Sequence, residues 1–220
     1  MAAQTYPIDV NGAPLTLSAQ RAAFDPVSRA LLVADVHLGK DAVFRARGIP
    51  VPTGATADTF ARLDAVIAQF APQSLYFLGD LLHARESHAP EVLDGLRRWR
   101  AAHRGLRLVL VEGNHDRHAG ALADEFGIET VFEPYRLRPW TLCHHPQPHA
   151  DGYVLAGHEH PVYTLRTGVD RVRLPCFRFG ARVGVLPAFG ALTGGYEATG
   201  ERGPESVYVV AANRIFSVRR

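Results

Sequence analysis

Apolar positions in this chain come in short bursts. Residues 30–34, 75–78, 108–111, 140–143 and 153–156 are runs of four or five, each stopped by a polar residue or a glycine. Short apolar runs bounded by turn residues read as buried strands. A helical period lies between them. Phe60, Leu63, Val66, Ile67 and Phe70 share one face of a predicted helix over 56–70, and Val92, Leu93, Leu96 and Trp99 one face of a second over 90–104. Residues 7–17 alternate polar and apolar about Asn11-Gly12, the signal of a type I′ hairpin. Residues 39–52 read as a loop and 120–126 as a short helix, while 130–137, 171–179, 183–186 and 207–218 read as further strands. The order is βαβαβ and then mainly β. It predicts an α/β chain with two sheets packed face to face and helices outside.

Composition narrows the class. At 220 residues, one domain spanning 1–220 is the simplest count, and 47% hydrophobic with 21% charged residues is ordinary for a globular protein. Two cysteines, Cys143 and Cys176, give no disulfide framework and point to a reducing compartment. No signal peptide is evident, and no apolar run approaches the roughly 20 residues that cross a bilayer. These features predict a cytoplasmic protein. A net charge of +2 is too small to argue for nucleic-acid binding by itself. Lys40 is the one lysine and every other basic residue is arginine, a usage that base composition of the genome explains as well as phosphate recognition does.

What stops each apolar run carries the chemistry. Asp35 and His37 follow the first run and Asp80 the second. Asn114 follows the third within Gly113-Asn114-His115-Asp116, His144-His145 the fourth, and His158 and His160 the fifth. Groups beyond the carboxyl ends of strands in an open α/β sheet share one crevice. Two carboxylates, one amide and four imidazoles are therefore expected at one rim. Residues two apart on an extended segment point to the same side, so Asp35 with His37, and His158 with His160, can serve one cation. Asp80 can bridge two. Mixed nitrogen and oxygen donors without thiolate suit Mn, Fe or Zn. Two such ions roughly 3.5–4 Å apart bring a bridging water towards a pKa of about 7, and the hydroxide attacks phosphorus in line. His115 is the candidate general acid, or electrostatic stabiliser, for the leaving oxygen.

In this order, Asp-x-His, Gly-Asp, Gly-Asn-His-Asp, His and Gly-His-x-His resemble the calcineurin-like metallophosphoesterase superfamily. The stretches at 34–40, 44–52, 78–83 and 186–190 resemble a bacterial subfamily, the ligase-associated DNA damage response endonucleases. The resemblance implies an α/β fold, a four-layer α-β-β-α sandwich with two packed mixed sheets. It implies that Asp35, His37, Asp80 and His160 hold one divalent metal and Asp80, Asn114, His144 and His158 the other, with Mn most favoured and Fe or Zn as alternatives, and that His115 is the catalytic histidine. The superfamily often has His-Gly at the fourth motif, where this chain has His144-His145-Pro146, so His144 is preferred and His145 stays open. DNA as substrate, and an ATP-dependent DNA ligase, a helicase and a nuclease as partners in one repair system, also follow from the resemblance. The alternatives are a phosphatase or phosphodiesterase for a nucleotide or other small phosphoester, and an inactive metal-binding scaffold for repair partners.

Other residues weigh less. Arg45 and Arg47 are candidates to contact a substrate phosphodiester, against a solvated loop. His83 and His88 read as supporting or surface histidines, His103 and His118 as solvated, and His149 as a residue within reach of the site from its loop. Arg97, Arg98 and Arg100 read as a solvated helix face. Asp116 either orients His115 or caps the following helix, with the cap preferred. Cys143 reads as a strand residue, and Phe189 as either framing a groove or closing a tight turn.

Overall fold

A computed structural model describes residues 4–52, 54–197 and 205–218. The first sheet has the spatial order β1 (Thr5–Val10), β2 (Ala13–Ser18), β3 (Ala22–Asp25), β4 (Ala30–Val33), β5 (Ser74–Leu78), β6 (Arg107–Val111) and β7 (Ile128–Val131). It is antiparallel as far as β4 and parallel from β4 to β7. The central strands are apolar throughout because both faces are covered. Leu31, Val33, Leu75, Phe77, Leu108 and Leu110 face helices, where Phe60, Leu63 and Val66 of α2 (Ala55–Phe70) and Val92, Leu96 and Trp99 of α3 (Pro90–Ala102) meet them. Truncating one such residue, Leu63→Ala, is expected to cost about 2–5 kcal/mol.

The alternate residues Leu32, Tyr76, Leu78, Val109 and Val111 face the second sheet, where Trp140, Leu142, Leu155, Phe177 and Phe179 complete a shared core. That sheet runs β14 (Tyr196–Glu197), β11 (Pro161–Thr167), β12 (Asp170–Phe179), β13 (Val183–Val185), β10 (Tyr153–Ala156), β9 (Trp140–Leu142) and β8 (Tyr135–Leu137). β15 (Ser206–Ala211) also pairs with β12, and β16 (Arg214–Val218) with β15. Strands β9, β10 and β13 are mutually parallel. The two packed mixed sheets are thus as expected. Every described α-helix precedes β7, and the far face of the second sheet carries small apolar clusters such as Cys143, Val154, Ala156, Val183 and Val185 in place of helices.

Several local expectations are corrected. Part of the anticipated loop 39–52 is helix α1 (Lys40–Ala46), which buries Asp41, Ala42 and Val43 after a left-handed Gly39. The helix expected over 120–126 starts earlier, as α4 (Asn114–Ala119), and only a 3-10 turn, Asp124–Phe126, remains in the expected span. Strand 130–137 is broken ahead of Pro134, which has no N–H to give a ladder. Strand 207–218 is a hairpin, because Ala212 and Asn213 both adopt positive φ, the backbone of a type I′ turn. β3, β11 and β14 were not anticipated. Among the described residues no helix is long and apolar enough to cross a membrane.

Candidate metal centre

Six parallel strands, β4, β5 and β6 in one sheet and β9, β10 and β13 in the other, end at the same rim. Asp35 and His37 follow β4, Asp80 follows β5 and Asn114 opens α4 after β6. His144 follows β9, and His158 and His160 follow β10. The reach is not that of extended segments, as first argued. Asp35, His37, Asp80, His158 and His160 have φ of 52°, 48°, 51°, 70° and 46°. Non-glycine residues adopt left-handed backbone rarely, and at a cost of order 1–3 kcal/mol each. Main-chain bonds from Asp35 N to Gly79 O (3.3 Å), His37 N to Asp80 O (2.9 Å) and Leu38 N to Leu81 O (2.8 Å) tie the first two loops together.

The rim is packed so tightly that glycine is required at its seams. A Cβ at Gly79 would lie 2.0 Å from His144 Nδ1, and one at Gly113 would lie 2.3 Å from Asp80 Oδ1.

All seven sequence-predicted donors converge. The His144 Nδ1–H donates to the Leu78 carbonyl at 3.2 Å, which leaves Nε2 with its lone pair. That nitrogen stands 2.9 Å from Asn114 Oδ1, 3.0 Å from His158 Nδ1 and 3.5 Å from Asp80 Oδ1. On the other side, the His160 Nδ1–H donates to Gly194 O at 3.2 Å. Its Nε2 lies 3.4 Å from His37 Nε2 and 3.5 Å from Asp35 Oδ1, while His37 Nε2 is 3.9 Å from Asp80 Oδ2. Asp35, His37 and His160 form one compact group, and Asp35, Asp80 and His144 another. Asp35 is therefore close to both groups, as well as accepting two bonds from His158 N at 3.1 and 2.9 Å.

This donor set fits divalent cations. Lone pairs aimed at each other across about 3 Å repel, and ligating histidines commonly donate their second ring N–H to a carbonyl, as His144 and His160 do. Burial and the neighbouring Asp35 carboxylate push Asp80 up to about 6. Burial, with Lys40 and His160 nearby, holds His37 well below the usual histidine range, and burial also lowers His144 and His158. A cation between these groups reverses the penalties on the carboxylates and needs its imidazoles neutral.

His115 is placed beside this cluster. Its N–H donates to Asp80 Oδ1 at 2.9 Å and its ring Nδ1–H to the His83 carbonyl at 2.7 Å, leaving Nε2 free. His83 stacks on His115 with ring centroids 4.8 Å apart, and its Nδ1 is 3.3 Å from His37 Nδ1. Only its position three residues after Asp80 hinted at that. Asp116 caps rather than orients: its carboxylate accepts from Gly113 N and Leu82 N, both at 3.0 Å, joining the loops after β5 and β6.

His144 is fully buried, whereas the ring of His145 is partly open and bonded to Glu133 Oε1 at 2.6 Å. The other Glu133 oxygen accepts from His144 N and His145 N at 2.8 and 2.9 Å. Sequence reasoning missed Glu133, because a separation of 11 residues from His144 leaves no spacing signal. Arg45 and Arg47 are engaged with acids, Arg45 with Asp41 at 3.2 Å and Arg47 with Glu86 at 3.0 Å. Lys40 stands half-buried beside Asp80 and Asp35, whose charges oppose the lowering of its pKa by burial. His149 pairs with Asp151 at 3.4 Å, and His103 with Asp64 at 2.7 Å.

Two packed mixed sheets whose strand ends present a histidine and carboxylate cluster define a metal-dependent phosphoesterase. The chain belongs to the calcineurin-like phosphoesterase family, whose model matches residues 28–166. It is similar to the nuclease MPE of Pseudomonas putida, with 43% identity and a TM-score of 0.86 over 97% of this chain and 100% of that one. A protein of unknown function from Aquifex aeolicus (18% identical, TM-score 0.39, 60% of this chain and 77% of that one) is more distant. So is the phosphoesterase Yfce of E. coli (18% identical, TM-score 0.39, 83% of this chain and 88% of that one). No curated protein matches.

Proposed function

We propose that the protein is a dinuclear-metal-dependent phosphodiesterase that cleaves DNA in a repair setting. The observation that carries this reading is the convergence of seven donors from two sheets on one rim. Similarity to a nuclease over nearly the full length supports a nucleic-acid substrate, and the subfamily motifs support repair. Asp35, His37, Asp80 and His160 would hold one ion, and Asp80, Asn114, His144 and His158 the other. When bound, the pair supplies a nucleophile at neutral pH and neutralises charge on the phosphoryl oxygens.

The remaining work falls to the side chains. Asp80 joins the two donor groups and holds the start of α4 through His115 N. The carbonyls of Leu78 and Gly194 fix which nitrogen of His144 and His160 faces the centre. The His83 carbonyl does the same for His115, whose Nε2 is left to give a proton or a hydrogen bond to the leaving oxygen. Hydrolysis of bis-p-nitrophenyl phosphate and of nicked, gapped and single-stranded DNA with added Mn tests the reading. Cleavage of the small diester with no cleavage of any DNA would return the protein to small phosphoesters.

A further inference from the structure

The hairpin of β11 and β12 begins at Pro161, the residue after His160. Among the described residues only Pro161 and Val162 pair with β14, and β12 meets its other neighbours from Cys176 onward. Between these points the chain is a two-stranded ribbon, and such ribbons are marginal without support. Its register places Arg166 directly opposite Arg171, and Thr164 opposite Arg173. Residues opposite each other, and residues two apart, share a face, so all three arginines lie on one side of the ribbon. All three are exposed.

Like charges placed directly opposite destabilise a sheet. Among the described residues, neither Arg166 nor Arg171 has an acidic partner that relieves this. Asp170 stands opposite Thr167 on the other face, and Glu197 lies at the base, across from Val162. The arginine face is continuous with the metal centre. Arg173 donates to the Gly195 carbonyl, and the adjacent Gly194 carbonyl holds His160. A Cβ at Gly195 would meet Val162 Cγ1 at 2.3 Å and His160 O at 2.7 Å, so this segment bridges ribbon and site.

We infer that the β11–β12 ribbon is an arm that grips the sugar–phosphate backbone of a duplex through Arg166, Arg171 and Arg173 and delivers it to the centre. The inference rests on the nuclease reading. Arginine is the side chain suited to phosphate, and a two-stranded ribbon has the width to lie along a duplex groove. A polyanion also converts the repulsion between Arg166 and Arg171 into shared attraction. The arm confers affinity without sequence preference, since phosphate contacts position but do not specify.

The test compares the full-length chain with its Arg166→Gln/Arg171→Gln variant, both loaded with Mn. Binding of a fluorescein-labelled duplex is followed by anisotropy in a His115→Ala background from 50 to 200 mM salt, and cleavage of duplex and of bis-p-nitrophenyl phosphate is followed without that change. The variant is expected to raise the duplex Kd about tenfold and to flatten the salt slope by about 2, one per phosphate contact removed. The small diester should be hydrolysed within twofold of the parent rate, which also reports a folded centre. An unchanged Kd and slope, or a parallel loss of small-diester hydrolysis, would overturn the arm. So would weakened duplex binding in Leu165→Thr/Val172→Thr, which alters only the opposite face. If the parent binds duplex through these arginines yet cuts no nicked, gapped or single-stranded DNA either, the nuclease reading falls and the arm stands. If it cuts and the arginine variant cuts equally well, the arm falls and the nuclease reading stands.

Discussion

The two sheets contribute unlike chemistry to the same rim. From the first come the oxygen donors Asp35, Asp80 and Asn114, of which the two carboxylates carry the negative charge, with His37 as the exception. From the second come only imidazoles, those of His144, His158 and His160. The packing differs in the same direction. β4, β5 and β6 are sealed between helices and the shared core, so their carboxylates extend from strands that helices cover on one face. The loops of the second sheet carry side-chain props such as Glu133, and Glu159, the residue between two donors, bonds to Arg178 at 3.3 Å. The charge thus comes from the helix-covered sheet, and the other sheet supplies imidazoles alone.

That contrast can be broken most severely at Asp80, a carboxylate close to His37 of its own sheet and to His144 of the other. Asp80→Ala is expected to abolish hydrolysis of bis-p-nitrophenyl phosphate at any Mn concentration, while circular dichroism remains that of a folded chain. Appreciable activity would mean that the two halves act separately. His115→Ala should lower kcat by about 10²–10⁴-fold, with metal content by plasma emission unchanged, since His115 lies beside the donors rather than among them. On the second sheet, Glu133→Gln removes the carboxylate that holds His144 N and His145 N. A loss of about 10–100-fold in Mn affinity is expected, recovered in kcat at saturating metal. His145→Ala should bind as much metal as the parent and His144→Ala less, and the reverse order would exchange their assignments. The mildest effect is on stability. Mn at a hundredfold excess over its Kd should stabilise the fold by about 2.7 kcal/mol, read as a rise in Tm that EDTA reverses.

Much of this was legible in the chain. The five apolar runs predicted five of the six strands at the rim, 183–186 the sixth, and the residues after the runs include the seven side chains brought together there, because strands buried on both faces leave a clear pattern. The ribbon β11 escaped notice. Leu165 is 44% and Val172 47% exposed, so neither face has the burial that produces clean alternation. Helix α1 was hidden for a related reason, being seven residues long and anchored by the polar Asp41, whose carboxylate accepts from Thr56 at 2.9 Å. The left-handed backbone at five donor positions could not be read at all. Glycine or asparagine advertises such geometry, whereas Asp35, His37, Asp80, His158 and His160 are forced into it by the loops that meet around them.

The close seam at Gly79 and Gly113 extends the count of vulnerable positions beyond the groups that do chemistry. A single methyl at residue 79 would occupy space already filled by an imidazole from the opposite sheet. A survey of variants limited to acids, histidines and amides would pass over this position, although a methyl there must displace the His144 ring or the backbone beneath it. The hydrogen atom that serves as the side chain of Gly79 is therefore part of what keeps that imidazole in place.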